Sequence, residues 1–278
     1  MTFKKRIVWF FKRHPILYFI RFKLLSKSIP FEQLKDACYN DSNQIQDIPK
    51  YFLEVNKKIF NSEKEYTDFD KMKKIASWLS EKIRGGRGLS LSSEQVLKQM
   101  LNNDGGVCSD QAQVFNNFCV INDLMVREWG NTHYPFSPKY GGHSFNEVFC
   151  KELDKWVMVD VAHCVAFLDA VSKPLSVLEY YKPNRDLSQI HFKSFSNHLK
   201  LDSKLLNIIY KNKNLIPFYI AGYNNKVYDW YLNKFHKYQP VFMIHFLVYL
   251  RGKSYHYLFP YQNVKEVFVL KDFLSSKS

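Results

Sequence analysis

Gly105-Gly106-Val107-Cys108-Ser109-Asp110-Gln111-Ala112 decides how this chain is read, together with His143-Ser144-Phe145-Asn146-Glu147-Val148 and Lys155-Trp156-Val157-Met158-Val159-Asp160. Gly105-Gly106 breaks the chain. Ser109 through Phe118 reads as helix, because Ala112, Phe115 and Phe118/Cys119 recur at helical spacing. Cys108 then falls at the helix N-terminus, where free N–H groups and the helix dipole favour a thiolate over a thiol. The same N–H groups suit a developing oxyanion.

The other two stretches read as a β-hairpin. Residues 143–149 and 155–161 are rich in Phe, Val, Trp and Met, and 150–154 is the turn between them. Such a turn makes residues whose numbers sum to about 303 or 304 face each other. His143 then lies opposite Asp160, or one place away, so the carboxylate can fix the imidazole tautomer. A thiol at a helix start, a histidine and an aspartate are the parts of a nucleophile, its base and the group that orients the base. Where the three meet, the chemistry they suit is attack on an acyl carbon.

At these residues the chain resembles the transglutaminase-like superfamily, the papain-fold group with a Cys-His-Asp triad. The family pattern runs through a helical Trp-hydrophobic pair, G-x-C-x-x-x-A, hydrophobic-x-R near a Gly, H-x-x-N-E-V and W-hydrophobic-x-x-D. Here these are Trp78-Leu79, Gly106-Val107-Cys108 with Ala112, Met125-Val126-Arg127 with Gly130, His143 through Val148, and Trp156 through Asp160. The sequence departs from the pattern at Ser144-Phe145, where a small residue and Trp are usual. It departs again at Val161-Ala162, where Pro-Thr is usual. The resemblance implies an α+β fold with a papain-like, transglutaminase-like core, helices packed on a small antiparallel sheet. It implies Cys108 as nucleophile, His143 as general base and acid, and Asp160 as orienter. The reaction would pass through an acyl-enzyme on a peptide or protein amide, ending in hydrolysis, deamidation or transamidation, with no cofactor and no metal. A side-chain oxyanion donor has no assigned place; Trp78, Gln99 and Asn103 are the candidates. The competing expectation is a catalytically silent module on the same fold, used for interaction at a membrane.

Composition sets the outer limits. With 46% hydrophobic residues the chain can fill a sizeable core, which excludes a disordered protein. Five cysteines without framework spacing argue against a disulfide-built domain, and Cys38, Cys119, Cys150 and Cys164 read as small buried hydrophobes. Asp160, His163 and Cys164, with His133 not far off, offer a weak zinc pattern, better read as a strand end and loop. The expected division is a basic, aromatic, amphipathic segment over 1–30, a catalytic domain over 31–195 and an extension over 196–278 that completes the fold or meets a partner.

The net charge is +14, and the first 27 residues carry eight basic side chains, Arg21 among them, with no acid before Glu32. Large apolar residues are interleaved, which suits an arm lying on an anionic membrane surface, or else an arm docked on the protein itself. Charges interrupt every apolar run before a bilayer span is reached. The expected location is cytoplasmic, peripheral to the inner face of the membrane; nucleic acid ranks last as a partner. Helices are expected over 70–84, from Ser93 to Leu101 with Ser92 or Ser93 as cap, and over 228–236. The apolar run 241–250 leans to a buried strand on its Val, Phe, Ile and Tyr content.

Overall fold

The computed structural model describes residues 15–61, 64–137, 142–196, 201–239 and 241–268. The basic residues Lys4, Lys5, Arg6, Lys12 and Arg13 lie outside them.

One mixed sheet organises the molecule. Its strands are β1 (Ser26–Ser28), β2 (Val126–His133), β3 (Gly142–Cys150), β4 (Lys155–Asp160), β5 (Val165–Leu168), β6 (His191–Ser194), β7 (Leu215–Ala221) and β8 (His256–Phe259). Their order is β1-β8-β7-β2-β3-β4-β5-β6. Every neighbouring pair is antiparallel except β1 and β8. The fold is α+β, and the expected antiparallel hairpin sits at the middle of a sheet of eight strands. β7 and β8 extend that sheet beyond β2. Gly130 makes the junction possible: any Cβ there would overlap the Phe218 ring of β7.

Helices α2 (Lys50–Ile59), α3 (Asp68–Lys82), α4 (Ser93–Leu101) and α5 (Cys108–Ile121) pack on one face of β2–β4. Their core stripe includes Phe52, Met72, Ile75, Leu79, Leu97, Phe115 and Phe118, each at most 1% exposed. Thr67 caps α3, its hydroxyl accepting from the Asp70 N–H. At α4 neither Ser92 nor Ser93 supplies the capping acceptor. The Asp229 carboxylate of α8 (Asn225–Phe235) takes the Ser93 N–H at 2.7 Å and its hydroxyl as well. The opposite face of the sheet is covered by α6 (Val177–Tyr180) and α7 (Ser203–Tyr210), around Trp129, Phe145, Met158, Phe167 and Tyr210.

A third cluster joins the two ends of the described chain. In α1 (Pro15–Leu25), Phe22 and Leu25 are 2% and 3% exposed and pack with Phe136, Phe218, Tyr257 and Phe259. Of the two fates expected for the arm, α1 takes the docked one. Residues 241–250 form a helix, α9 (Val241–Leu250), where a strand was expected. The run is apolar on all sides, with Met243, Phe246 and Leu250 exposed, so no alternation marks its period. Its buried Val241, Ile244 and Val248 follow helical spacing, and tertiary packing overrides the β-branched and aromatic preference. A last short helix, α10 (Val264–Val267), follows β8. Among the described residues no helix is long and apolar enough to cross a membrane.

Candidate active site

The start of α5 is built by the two glycines. Gly105 and Gly106 have φ of 135° and 109°, open to glycine alone at low cost. A Cβ on Gly105 would also stand 2.7 Å from the Arg87 carbonyl oxygen. Val107 is then extended and Cys108 is the first helical residue. Asp110 locks the turn, its Oδ2 accepting from the Val107 N–H at 3.0 Å and the Leu89 N–H at 3.1 Å.

Asn146 fixes β3 against α5. Its Nδ2 donates to the Ala112 carbonyl at 3.2 Å and to Asn116 Oδ1 at 2.7 Å, in a fully buried contact. That clamp brings the preceding residues to the cysteine. The Ser144 N–H points at Cys108 Sγ from 3.5 Å, and the His143 side chain is hydrogen-bonded to the same sulfur. Other parts of the quoted motifs hold the frame. Glu147 accepts from Arg127, Trp129 Nε1 and the Val177 N–H, while the Arg127 guanidinium stacks 3.7 Å from the Trp156 ring centroid.

The hairpin register pairs Asn146 with Val159 and Cys150 with Lys155, so partners sum to 305, one or two beyond the expected value. The cause is the turn: Cys150 belongs to the strand, and the loop is a tight 3-10 turn closed by Asp154 at φ 47°. His143 and Asp160 are therefore diagonal across one face rather than directly opposed. They still meet, with His143 Nε2 2.8 Å from Asp160 Oδ2.

Asp160 is fully buried and takes more donors than the sequence suggested. Its Oδ2 also accepts from His163 Nδ1 at 2.7 Å and from the Tyr210 hydroxyl at 2.7 Å, and its Oδ1 from the His163 N–H at 3.2 Å. Burial alone would raise this carboxyl, but His143 and His163 outweigh it and hold the group well below the carboxylate range. Burial would likewise lower His143, yet the Asp160 charge and the Cys108 sulfur raise it. Burial raises the Cys108 thiol, and the bond to His143 more than reverses that. All three shifts favour an imidazolium between two anions.

The atoms of His143, Asp160 and His163 that could ligate a metal lie within 4.8 Å of one another. Cys164, placed beside them in the sequence, is turned instead toward Ser80. His143 Nε2, His163 Nδ1 and the Tyr210 hydroxyl converge on Asp160 Oδ2, so hydrogen bonds within the protein already engage these groups.

Cys108 and His143 stand on the wall of a cavity of about 580 Å³, with Gln113 and Glu128 beside them. Glu128 accepts from Gln113 and from Asn116 Nδ2 at 2.9 Å, and burial pushes its carboxyl up to about 8. Trp78, Gln99 and Asn103 do not line this cavity. Trp78 packs against Phe118 in the core. Tyr210 had no signal in the sequence: it lies 50 residues from Asp160 on a helix whose pattern shows only core spacing.

Residues 54–161 match the family model of the transglutaminase-like superfamily. No curated protein matches the chain. Among solved structures, a candidate cysteine protease from Cytophaga hutchinsonii aligns at a TM-score of 0.35 and 13% identity, over 62% of this chain and 56% of that one. The chain thus spans little more than half of that protein, at a similarity too low to bear on activity. The matched stretch contains α3 to α5 and β2 to β4, hence Cys108, His143 and Asp160. Over residues 54–161, which carry Cys108, His143 and Asp160, the chain is thus similar to the transglutaminase-like superfamily.

Proposed function

We propose that this protein is a thiol enzyme acting on amide or other acyl groups of peptides or proteins, with Cys108, His143 and Asp160 as its catalytic residues. One observation carries the reading: Cys108 is the cysteine whose thiol is held low, by a histidine that is itself held high by a buried aspartate, at the wall of a cavity. The Cys108 thiolate attacks the acyl carbon, and the carbonyl electrons move to oxygen. N–H groups at the start of α5 are suited to hold that oxyanion. The imidazolium of His143 gives its proton to the leaving amine as the C–N bond breaks, leaving a thioester on Cys108. His143 then takes a proton from the acceptor that attacks the thioester. Water as acceptor gives hydrolysis or deamidation, and an amine gives transamidation. Asp160 keeps the imidazole in the tautomer that does both.

The test is acylation by p-nitrophenyl acetate. The expected result is a burst of nitrophenolate equal to the enzyme present, one acetyl group mapped to Cys108, and no burst from Cys108→Ala. A folded wild-type protein that acetylates only lysines would replace this reading with the silent interaction module.

A further inference from the structure

The cavity that reaches Cys108 has a second polar pole. Arg21 of α1 lines it, together with Tyr18, Tyr228, His245, Tyr255 and Tyr257. Arg21 Nε and His245 Nδ1 are both buried without a hydrogen-bond partner. The groups acting on Arg21 are tyrosines, namely Tyr255, Tyr257, Tyr18 and Tyr228. Among the described residues no carboxylate forms an ion pair with it. A guanidinium cannot shed its proton, so this half-buried one, with Nε unpartnered and no carboxylate paired to it among the described residues, leaves a positive charge on the cavity wall for an anion to meet.

The two acids on the cavity wall do not meet that need. Asp110 is engaged by the N–H groups of Leu89 and Val107. Glu128 is engaged by Gln113 and Asn116, and at about 8 it is largely uncharged at neutral pH. The ring of Tyr18, 5.7 Å from Arg21 Cζ, lines the same cavity as Cys108 and His143, so one wall connects the two poles.

We propose that Arg21 and His245 form an anion subsite of this cavity, and that the acyl substrate carries a carboxylate seated there. The assignment rests on the thiol-enzyme reading and names the substrate class for that site. One unmet positive charge beside a neutral donor balances one carboxylate, and the guanidinium fork matches its two oxygens. The tyrosine rings around it accept the apolar body of a peptide.

Binding can be measured without chemistry in the full-length Cys108→Ala protein. Three probes are titrated by calorimetry: N-acetylalanylalanine with its free carboxylate, the same peptide as its amide, and N-acetylglutamylalanine amide. At least one carboxylate probe should bind about tenfold tighter than the neutral amide. Preference for the first assigns a chain terminus, and preference for the third an acidic side chain. Arg21→Gln should abolish the difference and Arg21→Lys should keep part of it. Where Arg21→Gln fails to fold, His245→Ala should weaken the carboxylate probes and leave the amide unchanged. The proposal is overturned if all three probes bind within about twofold of one another, or if the preference survives Arg21→Gln. Failure here leaves the acetyl burst at Cys108 intact, whereas failure of the burst leaves this binding readable.

Discussion

Cys108 and Cys119 lie on one helix, about three turns apart, and their thiols are driven in opposite directions. Cys119 is fully buried, and burial holds its thiol well above the ordinary range, with Cys150 adding in the same sense. Burial acts with the same sign at Cys108, yet the net shift is downward, because His143 bonds the sulfur and Asp160 keeps that imidazole charged. A helix start alone does not lower a thiol this far, since burial at Cys108 acts the other way. The partner brought by β3 decides, and Asn146 is what brings it.

Removing that partner should therefore have the largest effect. His143→Ala leaves Cys108 to burial, as Cys119 is. We expect the acetyl burst to vanish and alkylation of Cys108 by iodoacetamide at pH 6 to slow by about a hundredfold or more. A folded variant that alkylates at the wild-type rate would place the cause of the low thiol elsewhere.

Asp160→Asn keeps the shape but removes the charge behind His143. In a serine triad the corresponding change costs up to about ten-thousand-fold, and a preformed thiolate–imidazolium pair should soften this. We expect a fall of tens- to thousands-fold in deacetylation, measured by stopped flow. Tyr210→Phe removes one of three donors to Asp160 Oδ2 while leaving the cavity wall alone. As a positioning residue it should lower kcat by about tenfold or less with KM unchanged. A rise in KM with kcat intact would make Tyr210 a binding residue instead.

The smallest effect belongs to the other end of α5. Cys119→Ala should cost about 1 kcal/mol of stability in urea unfolding, the scale of one buried small group. Alkylation of Cys108 should not change. A change there would mean that the two ends of the helix are coupled through its packing.

Much of the site could be read before the fold was known, because its signals are local. Gly105-Gly106 before a helical run put Cys108 at a helix start, and two flanking apolar runs put His143 and Asp160 on one hairpin face. The register differs from the expected one because Cys150, which the sequence places in the turn, belongs to the strand and pairs with Lys155. What the sequence hid was contributed from far along the chain. Tyr210 behind Asp160, Asp229 at the start of α4 and Arg21 in the cavity each act across more than 45 residues, and no local periodicity encodes such contacts. In the sequence Arg21 reads as one more basic residue of the arm, because sequence shows charge but not which way a helix docks. Residues 241–250 read as a strand in the sequence, although they form a helix, because a run apolar on every side carries no period.

The central claim is that His143 makes Cys108 the reactive thiol. The sign of its pH dependence follows from the shifts. The Cys108 thiolate is lost as pH falls through its lowered pKa, and the imidazolium is lost as pH rises through the raised pKa of His143. Between those limits the pair is formed before any substrate arrives. The most direct measurement is the rate of iodoacetamide labelling at each of the five cysteines at pH 6, resolved by peptide mass mapping. We predict that Cys108 labels at least about tenfold faster than free cysteine, while Cys38, Cys119, Cys150 and Cys164 label more slowly than it. Labelling of Cys108 no faster than free cysteine, or rising with pH along the titration of an ordinary thiol, would contradict it.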